Sequence, residues 1–286
     1  MLLLALAACV ATGASAADAI QIATSARSIQ PGEVVLFTLS TQEPLDALRV
    51  RAFDRDVATF RLETQTWESV LGIDLGAKAG SYVVSFEGVS RGHMVSATTT
   101  IRIRPRVFGT RVLRVDDAFV NPPGPLIARI TNEAAELERV WTESAASRLW
   151  GEGFVQPVPG RANGAFGSRS IFNGELRQPH AGGDFVSPAG TPVHAPNSGR
   201  VVLARDLYFT GNTVVIDHGL GIFSLLAHFS IVDVHEGATV TRGDTIGEVG
   251  ATGRVTGPHL HWAVRVNGAR VDPLAVLTIL GQPAKP

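Results

Sequence analysis

Cysteine is almost absent from this chain: a single residue, Cys9, lies near its start. A disulfide framework is therefore excluded as the source of stability. Lysine is nearly as scarce, with only Lys78 and Lys285, so positive charge is carried almost wholly by arginine. The formal net charge of -1 gives no electrostatic footprint for nucleic acid or for an anionic membrane surface. Beyond the first sixteen residues no apolar run is long enough to cross a bilayer, and no phosphate-cradling Gly-Lys-Ser/Thr loop occurs.

What is present fits a folded chain. A hydrophobic content of 45% with 18% charged residues is the balance of globular proteins, and 286 residues predict two domains. Met1 to Ala16 is a short apolar run without a basic n-region, ending in the small-x-small triplet Ala14-Ser15-Ala16. It reads as a signal peptide over 1–16, which predicts export to the periplasm or cell envelope. Cleavage there would remove Cys9 and leave no transmembrane helix in the mature chain. The alternative is lipid anchoring at Cys9, because Leu6-Ala7-Ala8-Cys9 resembles a bacterial lipoprotein box.

Residues 17–104 read as short alternating strands between turns. Val34 to Leu39, Leu48 to Phe53, Tyr82 to Phe86 and Thr99 to Arg104 carry the pattern, which predicts an immunoglobulin-like β-sandwich. His93 there reads as a surface loop residue. Residues 105–150 form a connector bracketed by Pro105 and the run Asn121-Pro122-Pro123-Gly124-Pro125, with Val112 to Val115 a candidate strand. Ile127, Ile130, Ala134, Leu137 and Trp141 then recur at helical spacing. This stripe predicts an amphipathic helix packed on one of the domains, with docking of a partner as the alternative.

Residues 151–286 hold 21 of the 30 glycines, the composition of an all-β body with many tight turns. His235 to Gly247 is similar to the hammerhead hairpin of biotinyl and lipoyl carrier domains. Neither lysine lies near it, so a carrier role is excluded and only the hairpin shape is kept.

Seven of the eight histidines lie beyond residue 179. His180 and Asp184 flank Gly182-Gly183, where a glycine turn can bring both side chains to one point. His259 and His261 follow the Gly257-Pro258 turn, and on a strand they would project from one face. By spacing alone, all four are candidate ligands of a catalytic zinc, which takes three protein donors and a water. His194 reads as packed, His218 as a turn residue and His235 as a surface residue. Asp217 and Asp233 are candidate supports for a ligand histidine.

His180-x-x-x-Asp184, Ala227-His228 and His259-x-His261, in this order, resemble the three signature motifs of the lysostaphin and LytM-like zinc metallopeptidases of peptidoglycan. The likeness runs from Phe166-Gly167-Ser168-Arg169 through Asn173-Gly174 and Gly190-Thr191-Pro192-Val193 to Gly250-Ala251-Thr252-Gly253 and Val271-Asp272-Pro273. The resemblance implies one zinc ion per chain, held by His180, Asp184 and His261. It places His228 and His259 off the metal as catalytic residues, and Asn173, Arg169 and Tyr208 along the substrate groove. Leu226 stands where such proteins often carry tyrosine, which predicts altered substrate fit with the metal retained. The implied activity is endopeptidase cleavage of peptidoglycan cross-links or bridges, with a cell-wall machinery partner for the N-terminal domain or connector helix. Two other classes remain open: a non-enzymatic LytM-type activator of cell-wall amidases, and a peptidoglycan-binding module.

Overall fold

The computed structural model describes residues 20–281, so the expected signal peptide, Cys9 and Lys285 lie outside it. Its strands follow the period-two patterning of the N-terminal sequence. They are β1 (Ile20–Ala26), β2 (Val34–Thr41), β3 (Ala47–Ala52), β4 (Arg55–Asp56), β5 (Ala58–Glu63), β6 (Thr66–Gly72), β7 (Gly80–Ser90) and β8 (His93–Ile103). One sheet has the order β1-β2-β6-β5 and the other β4-β3-β7-β8, the strand order of an immunoglobulin sandwich. Val35, Phe37 and Leu39 from β2 meet Val84 and Phe86 from β7 in its core, with Phe37 and Phe86 edge to face at 5.5 Å. Arg91 and Gly92, at φ 50° and 77°, make the two-residue turn between β7 and β8. His93 is exposed at the start of β8 rather than in a loop.

Alternation also exposes a second apolar face on the first sheet. Val34, Ala58, Phe60 and Val70 point away from the sandwich core and join one buried cluster with Trp150, Phe154, Val266 and Ala269 of the C-terminal body. Gly72 marks the close approach, because a Cβ there would lie 2.9 Å from that of Ala269.

The connector contains β9 (Thr110–Leu113), a 3-10 turn at Asp117–Phe119, and α1 (Gly124–Val140). β9 lies two residues earlier than the patterning suggests. It pairs in parallel with β10 (Arg169–Phe172), which pairs in turn with β11 (Glu175–Leu176). On α1 the predicted stripe packs at its C-terminal end, where Leu137, Val140 and Trp141 meet Leu203, Leu207 and Phe223. Ile127, at the other end, is 55% exposed.

The remaining strands are β12 (Gly182–Phe185), β13 (Pro192–His194), β14 (Gly199–Leu207), β15 (Gly211–Asp217), β16 (Ile222–Val232), β17 (Thr239–Val240), β18 (Thr245–Val249), β19 (Leu260–Val266) and β20 (Ala269–Val271). They form one nine-stranded sheet along β12-β19-β16-β15-β14-β17, closed by helix α2 (Pro273–Leu280). Ile222 to Phe229 of β16 are all buried, as a strand covered on both faces should be. In the hammerhead-like hairpin, β17 pairs with β14 while β18 pairs with β13 and β16. No helix among the described residues is long and apolar enough to cross a membrane.

Candidate metal centre

Strand register assembles the centre. Asp184 on β12 stands opposite His261 on β19, and Ala227 on β16 stands opposite His261 from the other side. His180 enters just before β12, its backbone N–H donating to Ser168 O at 3.0 Å. Gly182 makes room for it all: a Cβ there would lie 2.7 Å from ring atoms of His261. The result is a triangle of donor atoms. His180 Nε2 and His261 Nδ1 each lie 2.9 Å from Asp184 Oδ1 and 3.0 Å from one another.

A carboxylate oxygen and two imidazole nitrogens converging at one point, nearly buried, are the donor types of a catalytic zinc site with one position left open. Two of the three donors, Asp184 and His180, have shifts that favour a bound cation. Burial opposes charge on Asp184, but hydrogen bonds from His180 and His261 outweigh it and hold the carboxyl far below its ordinary range. Burial lowers the His180 ring to about 4, against the pull of Asp184, so it is neutral near pH 7. His180 Nδ1 is buried with no hydrogen-bond partner, so the ring's contacts are all made through Nε2. Arg111 of β9 reaches across to the other carboxylate oxygen, with Nη1 3.0 Å from Asp184 Oδ2 and Nε 3.0 Å from Ser170 Oγ.

His228 arrives by a different device. It is the extra residue of a β-bulge in β16, skipped between the Thr213–Ala227 and Asn212–Phe229 pairs, and has φ 70°. Its Nδ1 donates to Thr252 O at 2.8 Å, and His259 Nδ1 donates to Gly257 O at 2.8 Å. A carbonyl can only accept, so each ring, when neutral, carries its proton on Nδ1 and an open lone pair on Nε2. The two rings are 4.9 Å apart, and His259 Nε2 lies 3.8 Å from Asp184 Oδ1. Burial, reinforced by His261 and His259, lowers His228 to about 3. All five residues line one open cavity of about 710 Å³.

The three expected groove residues are placed elsewhere, and none lines that cavity. Asn173 clasps the connector, accepting from Val115 N–H at 3.1 Å and donating to Val115 O at 3.0 Å. Tyr208 donates to Ala118 O at 2.5 Å, and Arg169 is exposed on β10 beside Leu176 and Pro179. Leu226 is fully buried in the core, as packing at that strand position predicts. His194 is not packed in the core but lies partly exposed, with Nδ1 3.0 Å from Gly243 O. Asp217 supports no ligand histidine; it accepts from Ser144 Oγ and from the N–H groups of Ala145 and Gly219. His218 is a core residue and not a turn residue on the surface. Its ring donates to Ser198 O at 2.8 Å and accepts from Ser224 Oγ at 2.9 Å. Gly88-Val89-Ser90-Arg91-Gly92 has the letters of a nucleophile elbow, yet it forms the β7–β8 hairpin turn, with Ser90 Oγ donating to Pro44 O. The spacing of the histidine motifs gives no hint of Arg111, Arg177 or Arg254, which also line the cavity.

Fold and site together define a protein of peptidase type. Residues 178–273 match the model of peptidase family M23. A crystal structure from Pseudomonas aeruginosa, provisionally assigned to peptidase M23, superposes with a TM-score of 0.69 at 31% identity, covering 88% of this chain and 96% of that one. The chain belongs to peptidase family M23, and the likeness extends over the sandwich and connector. Peptidoglycan DD-endopeptidase ShyA of Vibrio cholerae is 46% identical over 96 residues, 34% of this chain and 22% of that protein. DD-carboxypeptidase/endopeptidase Mpg of Neisseria meningitidis is 44% identical over 97 residues, again 34% and 22%. The chain thus matches less than a quarter of the length of these two relatives.

Proposed function

We propose that the chain is an exported, zinc-dependent endopeptidase that hydrolyses peptide cross-links or bridges of bacterial peptidoglycan. The observation that carries this reading is the convergence of His180 Nε2, Asp184 Oδ1 and His261 Nδ1 to within 3.0 Å, beside two imidazoles with open Nε2 atoms. The names of the DD-endopeptidase relatives support the substrate class and an envelope location. The proposed division is a signal peptide over 1–16, a sandwich over 17–104, a connector over 105–150 and the peptidase part over 151–286. A cell-wall machinery partner would meet the sandwich or the exposed end of α1.

His180, Asp184 and His261 would hold the zinc. When bound, zinc supplies Lewis-acid polarisation of the scissile carbonyl and a water acidified toward neutrality. Arg111 fixes the Asp184 carboxylate through Oδ2, which leaves Oδ1 for the centre. His228 and His259 share the proton work at Nε2. One takes the proton of the attacking water at Nε2, and that protonated ring then donates to the developing oxyanion. The same proton passes to the leaving amine, while the other neutral ring offers only an acceptor. The Thr252 and Gly257 carbonyls keep both rings in the tautomer this requires.

The test is incubation of zinc-loaded protein, residues 17–286, with defined cross-linked muropeptides, followed by mass spectrometry. New amine and carboxyl ends are expected. Zinc binding without cleavage of any substrate would leave the amidase-activator reading in place, and sacculus binding unaffected by His228→Ala would favour the binding module.

A further inference from the structure

Arg111, Arg177 and Arg254 wall the cavity, and among the described residues its sole acidic lining group is Asp184, which the candidate metal centre engages. Two of the arginines are already occupied. Arg111 bonds Asp184 and Ser170, and Arg177 bonds Glu175 Oε2 at 2.7 Å and Val120 O.

Arg254 is held differently. Its guanidinium lies 4.4 Å from the ring centroid of Phe172 and 4.6 Å from that of Phe209. Its backbone N–H donates to Phe209 O at 2.9 Å. Aromatic faces position a cation without neutralising it. Burial, with Arg177 and Arg111 repelling it, lowers its pKa to about 10, so it is still charged near pH 7. Keeping a partly desolvated guanidinium beside two like charges is unfavourable unless an anion completes the set. The segment is tied to the reacting groups, because Thr252, two residues earlier, accepts the hydrogen bond that orients His228.

A peptide backbone offers no net charge to such a wall, and neither does a glycyl bridge. A carboxylate does, and its two oxygens suit the fork of N–H donors on arginine. We propose that the arginine wall, with Arg254 as its anchor, binds a free carboxylate of the substrate peptide beside the scissile bond, so that acidic stem peptides are preferred to neutral bridges. The inference rests on the peptidase reading above. Two carboxylates share this chemistry: that of the cross-linked diamino acid and that of a terminal D-alanine.

The experiment uses one cross-linked D-alanyl to diamino-acid peptide in three forms: all carboxyls free, the diamino-acid carboxyl amidated, and the terminal D-alanine carboxyl amidated. Cleavage is followed by mass spectrometry and binding by calorimetry on the zinc-loaded protein. The wild type should prefer the free acid to one amidated form by about ten- to a hundredfold in kcat/KM, the range of a charge-assisted pair. Which amide is penalised identifies the carboxylate bound. In Arg254→Gln, with zinc content matching wild type, the acid-over-amide ratio should collapse toward one. Equal handling of all three peptides by wild type, or an undiminished ratio in Arg254→Gln, overturns the proposal. The wild-type comparison decides alone if that variant does not fold. If wild type cleaves none of the peptides the peptidase reading fails, and the calorimetric difference between acid and amide still tests the carboxylate site.

Discussion

His259 and His261 are two residues apart and use the imidazole ring for different ends. His261 turns Nδ1 to Asp184, whereas His259 donates its Nδ1 proton to Gly257 O and leaves Nε2 toward the cavity. His261→Ala should therefore lose zinc by elemental analysis together with muropeptide cleavage. His259→Ala should keep the metal and lose about 10²- to 10⁴-fold in turnover, the range for removing a positioned acid or base. Equal metal loss from both variants would remove the distinction. His218 answers to a different measurement. Burial lowers its pKa to about 4 from an ordinary value of 6.5. Its folded form thus resists protonation that the unfolded chain accepts, so this contribution to stability is full above pH 6.5 and is lost as pH falls toward 4. His218→Gln should be less stable at pH 7, by about 1–3 kcal/mol for a broken buried hydrogen-bond pair. Its melting temperature should also fall less steeply between pH 6.5 and 4, which calorimetry across that range would check.

At the scale of elements, the connector decides what the cavity is. β9 adds a parallel strand to β10 and delivers Arg111 to Asp184, and Asn173 fixes Val115 beyond β9 through both polar atoms of its amide. Asn173→Ala should cost about 1–3 kcal/mol for those two bonds and speed limited proteolysis within residues 114–123. Asn173 also sits at φ 51°, a conformation asparagine tolerates better than alanine, which adds to the loss. Cleavage no faster than in wild type would show that the clasp carries little. This element also marks the boundary of what sequence can reveal. The sandwich is legible because β3 and β8 alternate residue by residue, and the histidines are legible because their spacing is local. The β9–β10 pairing joins Arg111 to Ser170 across almost sixty residues, and no periodicity reports such a contact. The bulge at His228 is equally silent, since an apolar strand reads the same with or without an extra residue. His218 reads as a turn residue because Asp217 and Gly219 flank it, while its burial depends on Ser198 and Phe154 from distant segments.

At the scale of the whole molecule, the sandwich is bound to the peptidase part through a shared core and two ion-pair groups. Arg27 and Arg106 bridge Glu33 to Asp272, and Arg270 binds Asp74 at 2.8 Å. Burial opposes the Asp74 charge, but the Arg270 contacts prevail and set its pKa at about 2. A lowered carboxylate pKa stabilises the fold above the ordinary value and is lost as pH falls through the lowered one, here from about 4 to 2. The larger tie is apolar. Phe60 of the sandwich meets Trp150 edge to face at 5.7 Å, and Arg148 lies 4.3 Å from its ring centroid. Truncation of a buried phenylalanine removes about 3–5 kcal/mol. That loss falls on the contact between the two halves more than on either half, because the sandwich has a separate core around Phe37 and Phe86. Wild-type protein should melt in one calorimetric transition, the behaviour of units that share a core. Phe60→Ala should split it, with one part melting several degrees before the other, and zinc should raise only the peak belonging to the C-terminal part. A single transition in the variant, merely shifted, would mean that the ion pairs alone suffice to couple the halves.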